Sequence, residues 1–152
     1  MLRCKTVEVV STMSKVLTYI DANVLIAAFG AQSAISVAAI AVLRDPNRYL
    51  MVSDALWLET MPKAIFYRRQ HEVDFYEGIF MLAHRRIAWS SLVMEKACEF
   101  AMRYGLAAMD AIHVASAIIG HAEELITGEK WSKPMLQVQE LRVRSIQPIS
   151  PG

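Results

Sequence analysis

The apolar and polar positions of this chain switch repeatedly between a strand period and a helix period. Residues 16–20 are apolar and β-branched, meet an acid at Asp21, and pass at once into small and aliphatic residues as far as Phe29. That pattern predicts a buried strand feeding directly into a helix, which Gly30 terminates. Ser33 is the predicted cap of a second helix through 36–43, broken by Asp45 and Pro46. A short apolar run at 49–53 predicts a second strand. Ser53 and Asp54 then supply cap chemistry for a long helix carrying Trp57, Leu58, Glu59, Met61, Ile65 and Phe66. Pro62 lies inside it and is expected to kink it just after Glu59. An amphipathic helix is predicted over 73–83, a brief third strand over 87–89 and a helix over 92–104 ending at Gly105. Residues 108–119 are small and aliphatic nearly all round, the signature of a buried helix. A fourth strand over 124–127, a polar loop over 128–134 and a fifth strand within 141–149 complete the predicted order.

Strands that alternate with helices and read as short apolar runs predict a mainly parallel sheet covered on both faces. The expected fold class is therefore a three-layer α/β/α domain. With neither a repeat nor an internal boundary, residues 15–150 are expected to form one domain. Residues 1–14 are expected to be a loosely ordered extension, with Met13 an alternative start. At 55% hydrophobic and 20% charged residues, the chain falls outside the disordered class. A net charge of +1 excludes a protein that coats nucleic acid through a broad basic surface. Any such contact would be local or mediated by metal ions. Cys4 and Cys98 have no paired spacing, which argues against a disulfide framework or zinc knuckle and makes a reduced cytoplasm the expected location. No apolar run reaches the ~20 residues that span a bilayer, and no membrane association is expected.

Asp21 stands at the carboxyl end of the first strand, where open α/β sheets bind their ligands. The same layout brings three further acids towards that lip: Glu59 in the helix after the second strand, Asp110 at the start of the buried helix, and Glu129 after the fourth strand. Each has an ordinary explanation. Asp21 and Asp110 could be helix caps, Glu59 could pair with Lys63 four residues on, and Glu129 could decorate a polar loop. Together, four carboxylates at one crevice repel one another unless a cation neutralises them. Hard divalent ions such as magnesium or manganese take oxygen ligands of this kind. Such a site activates water and clamps a phosphodiester. The chain offers no competing phosphate loop, nucleophile elbow or clustered His/Cys set. A phosphatase-type domain ranks lower, because no second acid adjoins Asp21.

The segments YIDANVL (19–25), the helix around Leu58 and Glu59, GLAAMDAIHVASA (105–117) and LITGE (125–129) resemble the four motifs of PIN-domain ribonucleases. Among these, the chain is most similar to the VapC-like toxins of bacterial type II toxin–antitoxin pairs. The resemblance covers roughly residues 16 to 148. It implies a Rossmann-like sheet of order 3-2-1-4-5 and a Mg2+- or Mn2+-dependent endoribonuclease. Asp21, Glu59, Asp110 and Glu129 would be its catalytic, metal-holding acids, supported by Asn23 and Thr127. It further implies an RNA substrate, a small antitoxin protein as partner, and a homodimer. Glu129 departs from the pattern, since the family more commonly has Asp there, and marks a variant branch. A catalytically weak RNA- or protein-binding module of the same fold is the alternative reading.

Lys63, Lys130 and Lys133 are candidates to meet phosphates, with ordinary surface lysines the competing reading. Arg68 and Arg69, like Arg85 and Arg86, are weaker candidates for RNA or partner contact. His113 reads mainly as a core histidine bonded to a backbone carbonyl, with a ligand or general-base role as the lesser alternative. Phe66, Tyr67, Phe75, Tyr76 and Phe80 belong either to the core or to a protein interface.

Overall fold

The computed structural model describes residues 14–30 and 33–149. The extension expected over 1–14 lies, apart from residue 14, outside the described residues, as do Cys4 and Met13. Five strands form one sheet in the order β3-β2-β1-β4-β5, and every neighbouring pair is parallel. They are β1 (Val16–Ile20), β2 (Arg48–Ser53), β3 (Arg85–Ile87), β4 (Glu124–Thr127) and β5 (Arg142–Ser145). The fold is the α/β arrangement expected, with the expected strand order. Six α-helices connect the strands: α1 (Ala22–Phe29), α2 (Ala34–Arg44), α3 (Asp54–Phe66), α4 (Gln70–Leu82), α5 (Ser91–Tyr104) and α6 (Ala108–Ile119).

The strand period of two sorts the core into two layers. Tyr19, Met51 and Leu125 face one side of the sheet and pack with Val93, Ala97 and Phe100 of α5 and with Val114 and Ala115 of α6. Ile20, Val52 and Ile126 face the other, against α1, α3 and α4 through Leu25, Leu56, Tyr76 and Ile79. Helix α6 is buried from Ala111 to Ala117, consistent with its uniformly small and aliphatic sequence. Its close approach to the sheet is visible at Gly120, where an added Cβ would come within 2.6 Å of both Ile87 Cδ1 and Met51 Sδ.

Ser33 and Ser53 act as the caps the sequence suggests, and Ser90, not expected in that role, does the same for α5. Ser33, Ser53 and Ser90 accept hydrogen bonds from the backbone N–H groups of Ser36, Leu56 and Val93. Helix α3 continues through Pro62 as one element to Phe66. Three boundaries differ from expectation. Helix α4 begins at Gln70, three residues before the apolar pattern starts, because its first turn is polar and exposed. The polar loop after β4 contains a short 3-10 helix, Pro134–Gln137, which buries Met135. Strand β3 is Arg85–Ile87 rather than 87–89, paired in register with Met51–Ser53.

The shift of β3 has an electrostatic cause. An edge strand can carry arginines outward, and both are tied down: Arg85 Nη1 donates to Gly120 O, and Arg86 Nε donates to Asp54 Oδ1 at 2.9 Å. Of the aromatic set, Tyr76 is fully buried, Phe75 and Phe80 pack partly against the core, and Phe66 and Tyr67 are exposed. No single helix among the described residues is long and apolar enough to cross a membrane.

Candidate metal centre and active site

The site lies at the carboxyl end of β1 and β4. Asp21 follows β1 directly and is the N-cap of α1, its Oδ1 accepting from Ala22 N at 2.8 Å. The capping explanation is therefore correct for one oxygen. The other, Oδ2, accepts from the Thr127 hydroxyl at 2.7 Å. Thr127 Oγ1 in turn accepts from Glu129 N at 3.1 Å. One threonine at the end of β4 thus orients a carboxylate on β1 and the backbone that carries Glu129.

Asn23 works on the same loop, accepting from Gly128 N at 2.5 Å through Oδ1. A Cβ on Gly128 would stand 2.9 Å from Asn23 Cγ, so a larger residue there would displace the Asn23 side chain from this bond. The loop is also held from its far side. Ser145 Oγ donates to Glu129 O, Gln147 Nε2 donates to Gly128 O at 2.9 Å, and Trp131 Nε1 donates to Gln147 O at 2.8 Å.

Glu59 lies on α3, half-buried, with Oε1 3.3 Å from His113 Nε2. Among the described residues it makes no ion pair with Lys63. Asp110 stands in the first turn of α6 but is not its cap; that position belongs to Ala107, which supplies no side-chain bond. Burial and the charges of Asp21 and Glu129, offset in part by His113, push the Asp110 carboxyl up to about 6. Glu59 adds to the same effect. The other three acids sought in the sequence thus all act on Asp110, while Asp110 and Glu129 lie outside the close ligand cluster formed by Asp21, Glu59 and His113.

His113 is buried, as expected of a core histidine, but among the described residues its bond is to a side chain rather than to a backbone carbonyl. Its Nδ1 lies 2.6 Å from the Tyr19 hydroxyl, which lies 2.6 Å from Ser53 Oγ. Its Nε2 faces the acids, 3.6 Å from Asp21 Oδ1 and 3.3 Å from Glu59 Oε1. Neither oxygen is placed for a hydrogen bond of normal geometry, so Nε2 is a buried polar atom without a partner. Burial pushes the imidazole pKa down, but the Glu59 and Asp21 carboxylates outweigh it and hold the ring above its ordinary value. Burial drives the Tyr19 phenol upwards, so it stays protonated.

The donor set fits a divalent cation. Ligand atoms of Asp21, Glu59 and His113 all lie within 4.8 Å of one another. Among the described residues, no Lys or Arg pairs with Asp21, Glu59, Asp110 or Glu129. Burial and like charges raise the Asp110 carboxyl, as a crowded set of oxygen donors suited to a divalent cation would.

Of the three candidate lysines, only Lys63 shares a cleft with one of the acids. Lys63 lines a small cleft with Glu59, Arg69 and Glu72. Lys130 lines a separate cleft with Trp131, Gln147 and Pro148, and Lys133 is exposed nearby. Tyr19 and Ser53 were not singled out from the sequence as site residues. A buried phenol two residues before the strand-end acid was the available signal, since a buried tyrosine hydroxyl needs a partner.

The parallel α/β sheet of order β3-β2-β1-β4-β5 thus carries acids beyond the carboxyl ends of β1 and β4. The PIN domain family model matches residues 18–133, and the chain belongs to that family. Solved structures of similar fold include a toxin–antitoxin complex from Klebsiella pneumoniae, at 23% identity and TM-score 0.64, covering 87% of this chain and 99% of that one. VapBC2 from Rickettsia felis, bound to a DNA fragment from its promoter, matches at 10% identity and TM-score 0.64, covering 85% and 98%. DNA-bound VapBC from Salmonella typhimurium matches at 12% identity and TM-score 0.62, covering 87% and 99%. No curated protein sequence matches this chain.

Proposed function

We propose that this chain is a metal-dependent endoribonuclease and the toxin of a toxin–antitoxin pair. One observation supports the reading most: Asp21 and Glu59 present ligand atoms within 4.8 Å of each other and of His113, and no Lys or Arg is paired to any of the four acids among the described residues. Burial and the charges of Asp21, Glu129 and Glu59 raise the Asp110 carboxyl. A structural cluster would be expected to carry its own counter-charge. This one is suited to a counter-charge from outside.

Asp21 and Asp110 would hold the principal Mg2+ or Mn2+, with Glu59 completing its surroundings and Glu129 serving a second ion or its waters. A bound ion of this kind supplies Lewis-acid stabilisation of the phosphodiester and a more acidic water. Glu59 would orient the attacking water and take its proton as the new P–O bond forms and the bond to the leaving ribose oxygen breaks. Thr127 fixes Asp21, while Asn23 and Gly128 fix the loop that presents Glu129. Lys63 and Lys130, in clefts on either side, would meet the flanking phosphates, with Lys133 in support.

Residues 15–150 are read as one domain, acting in the cytoplasm on RNA. A small antitoxin protein and a second copy of the chain are the proposed partners. The structural neighbours named as toxin–antitoxin complexes support the antitoxin, and the exposed Phe66 and Tyr67 are consistent with a protein interface.

Asp110→Asn tests the activity. It should leave the circular dichroism spectrum unchanged and abolish manganese-dependent RNA cleavage. Equal cleavage by variant and parent would remove Asp110 from the mechanism. The toxin assignment is tested by purification from the native host. A small co-purifying protein that suppresses cleavage is the expected result, and active enzyme without a partner is the opposing one.

A further inference from the structure

His113 is 1% exposed, and its Nε2 is unpartnered among the described residues while aimed at the gap between Asp21 and Glu59. Buried polar atoms are nearly always satisfied, so an exception at a ligand site points to a missing partner. We propose that His113 Nε2 is itself a ligand, forming with Asp21 and Glu59 a mixed imidazole–dicarboxylate site that prefers manganese-class ions to magnesium. This rests on the metal-dependent reading above and changes its ligand set, which was drawn from carboxylates alone.

The distances suit one shared ion. Ligand atoms about 2.1 Å from an ion stand roughly 3 Å apart when adjacent and about 4.2 Å apart when opposite, in octahedral geometry. Nε2 lies 3.3 Å from Glu59 Oε1 and 3.6 Å from Asp21 Oδ1, and all three ligand atoms fall within 4.8 Å of one another. Modest side-chain rotation closes the remainder.

The other half of the ring is set for the role. Ligating histidines almost always engage their second nitrogen, which fixes tautomer and orientation. Here Nδ1 meets the Tyr19 hydroxyl at 2.6 Å. That hydroxyl can accept from Nδ1–H while donating to Ser53 Oγ, also at 2.6 Å. Ser53 in turn is anchored as the cap of α3, the helix that carries Glu59. With Nδ1 engaged by Tyr19, Nε2 is the nitrogen left to face the two carboxylates, where a bound cation would take the place of its proton. A nitrogen donor also biases the choice of ion, because imidazole suits the later first-row metals and magnesium favours oxygen.

The test is electron spin-echo envelope modulation on the full chain loaded with Mn2+, grown once with natural histidine and once with 15N-histidine. Modulation from 14N that changes to the 15N pattern is expected, as is its loss in His113→Gln. In competition titrations the parent should favour Mn2+ over Mg2+ about tenfold more than His113→Gln does, and Tyr19→Phe should weaken Mn2+ binding by roughly tenfold. His71, His84 and His121 are exposed, so coupling that persists in His113→Gln would trace to one of them and overturn the proposal. Mn2+ that binds in an Asp21-dependent way without nitrogen coupling overturns it too, yet leaves the acid site standing. Absence of any Mn2+ binding overturns both. If His113→Gln does not fold, the isotope comparison on the parent decides the matter alone.

Discussion

Asp21 and Glu124 are carboxylates on neighbouring strands, each only 4% exposed, and they are treated in opposite ways. Glu124 opens β4 at the end of the sheet away from the acid cluster. Its Oε1 accepts from Arg48 Nε at 2.8 Å and from Thr18 Oγ1 at 2.9 Å, and Arg144 lies 3.9 Å from its Oε2. Asp21, at the opposite end, receives a hydroxyl, a backbone N–H and an unbonded imidazole, and shares its space with other acids. Burial makes a charge expensive unless it is paired. One end of the sheet therefore closes its electrostatics within the chain, and the other leaves them to be closed by something bound.

The sharpest way to break this contrast is to neutralise each carboxylate in turn. Asp21→Asn should cost cleavage roughly 1,000-fold, about 4 kcal/mol of transition-state stabilisation, while the metal-free thermal midpoint holds or rises. Glu124→Gln should do the reverse. Breaking a buried pair typically costs ~3–5 kcal/mol. Arg48 keeps Asp45 as a partner at 2.5 Å, so a loss of about 2 kcal/mol is expected here, with a midpoint roughly 5 °C lower and normal turnover by the folded fraction. Similar effects from the two variants on both readouts would erase the distinction.

Next in size is a pH effect. The Asp110 carboxyl is raised to about 6 from an unfolded value of 3.8. The folded state then holds more protons than the unfolded state between those values. Without metal, stability should be greatest below about pH 4 on this account and fall as pH rises through 6. Asp110 is half exposed, and solvent screening reduces the contribution to on the order of 1 kcal/mol. Asp110→Asn should flatten this part of the stability–pH curve, as should saturating Mn2+. A curve unchanged by either would show that the acids do not share a field.

Thr127→Val probes the link between the two strands. Loss of its bonds to Asp21 and to the Glu129 backbone should weaken metal binding roughly tenfold by calorimetric titration. Its stability cost should be only about 1 kcal/mol. The smallest effect is expected at Lys130→Ala. The Michaelis constant for RNA should rise a few-fold with turnover unchanged, and the salt dependence should become shallower by about one unit of slope. A turnover defect there would move Lys130 into the chemistry.

Much of this was legible in the residues. The run into Asp21, the caps at Ser33 and Ser53 and the small-residue helix around Asp110 signal their structure locally, through period, cap chemistry and side-chain size. Strand β3 was misplaced because an edge strand of three residues has almost no pattern of its own. Pairing with Met51–Ser53 and the bonds of Arg85 and Arg86 settle its register. The partner of His113 was not legible for a related reason. On a helix of buried aliphatics a histidine looks like core, and its actual partner, Tyr19, lies 94 positions away in the chain.

The sequence by itself determined the alternation of strand and helix and the residue types capable of holding a cation. Those depend on interactions within a few positions, and local spacing encodes them. Only the tertiary structure decided how each charge is answered. Glu124 and Asp21 are both acids at strand ends, and no local pattern separates them. Packing brings arginines to one and more acids, with an unpartnered imidazole, to the other, because Coulomb energy depends on distance in space rather than along the chain.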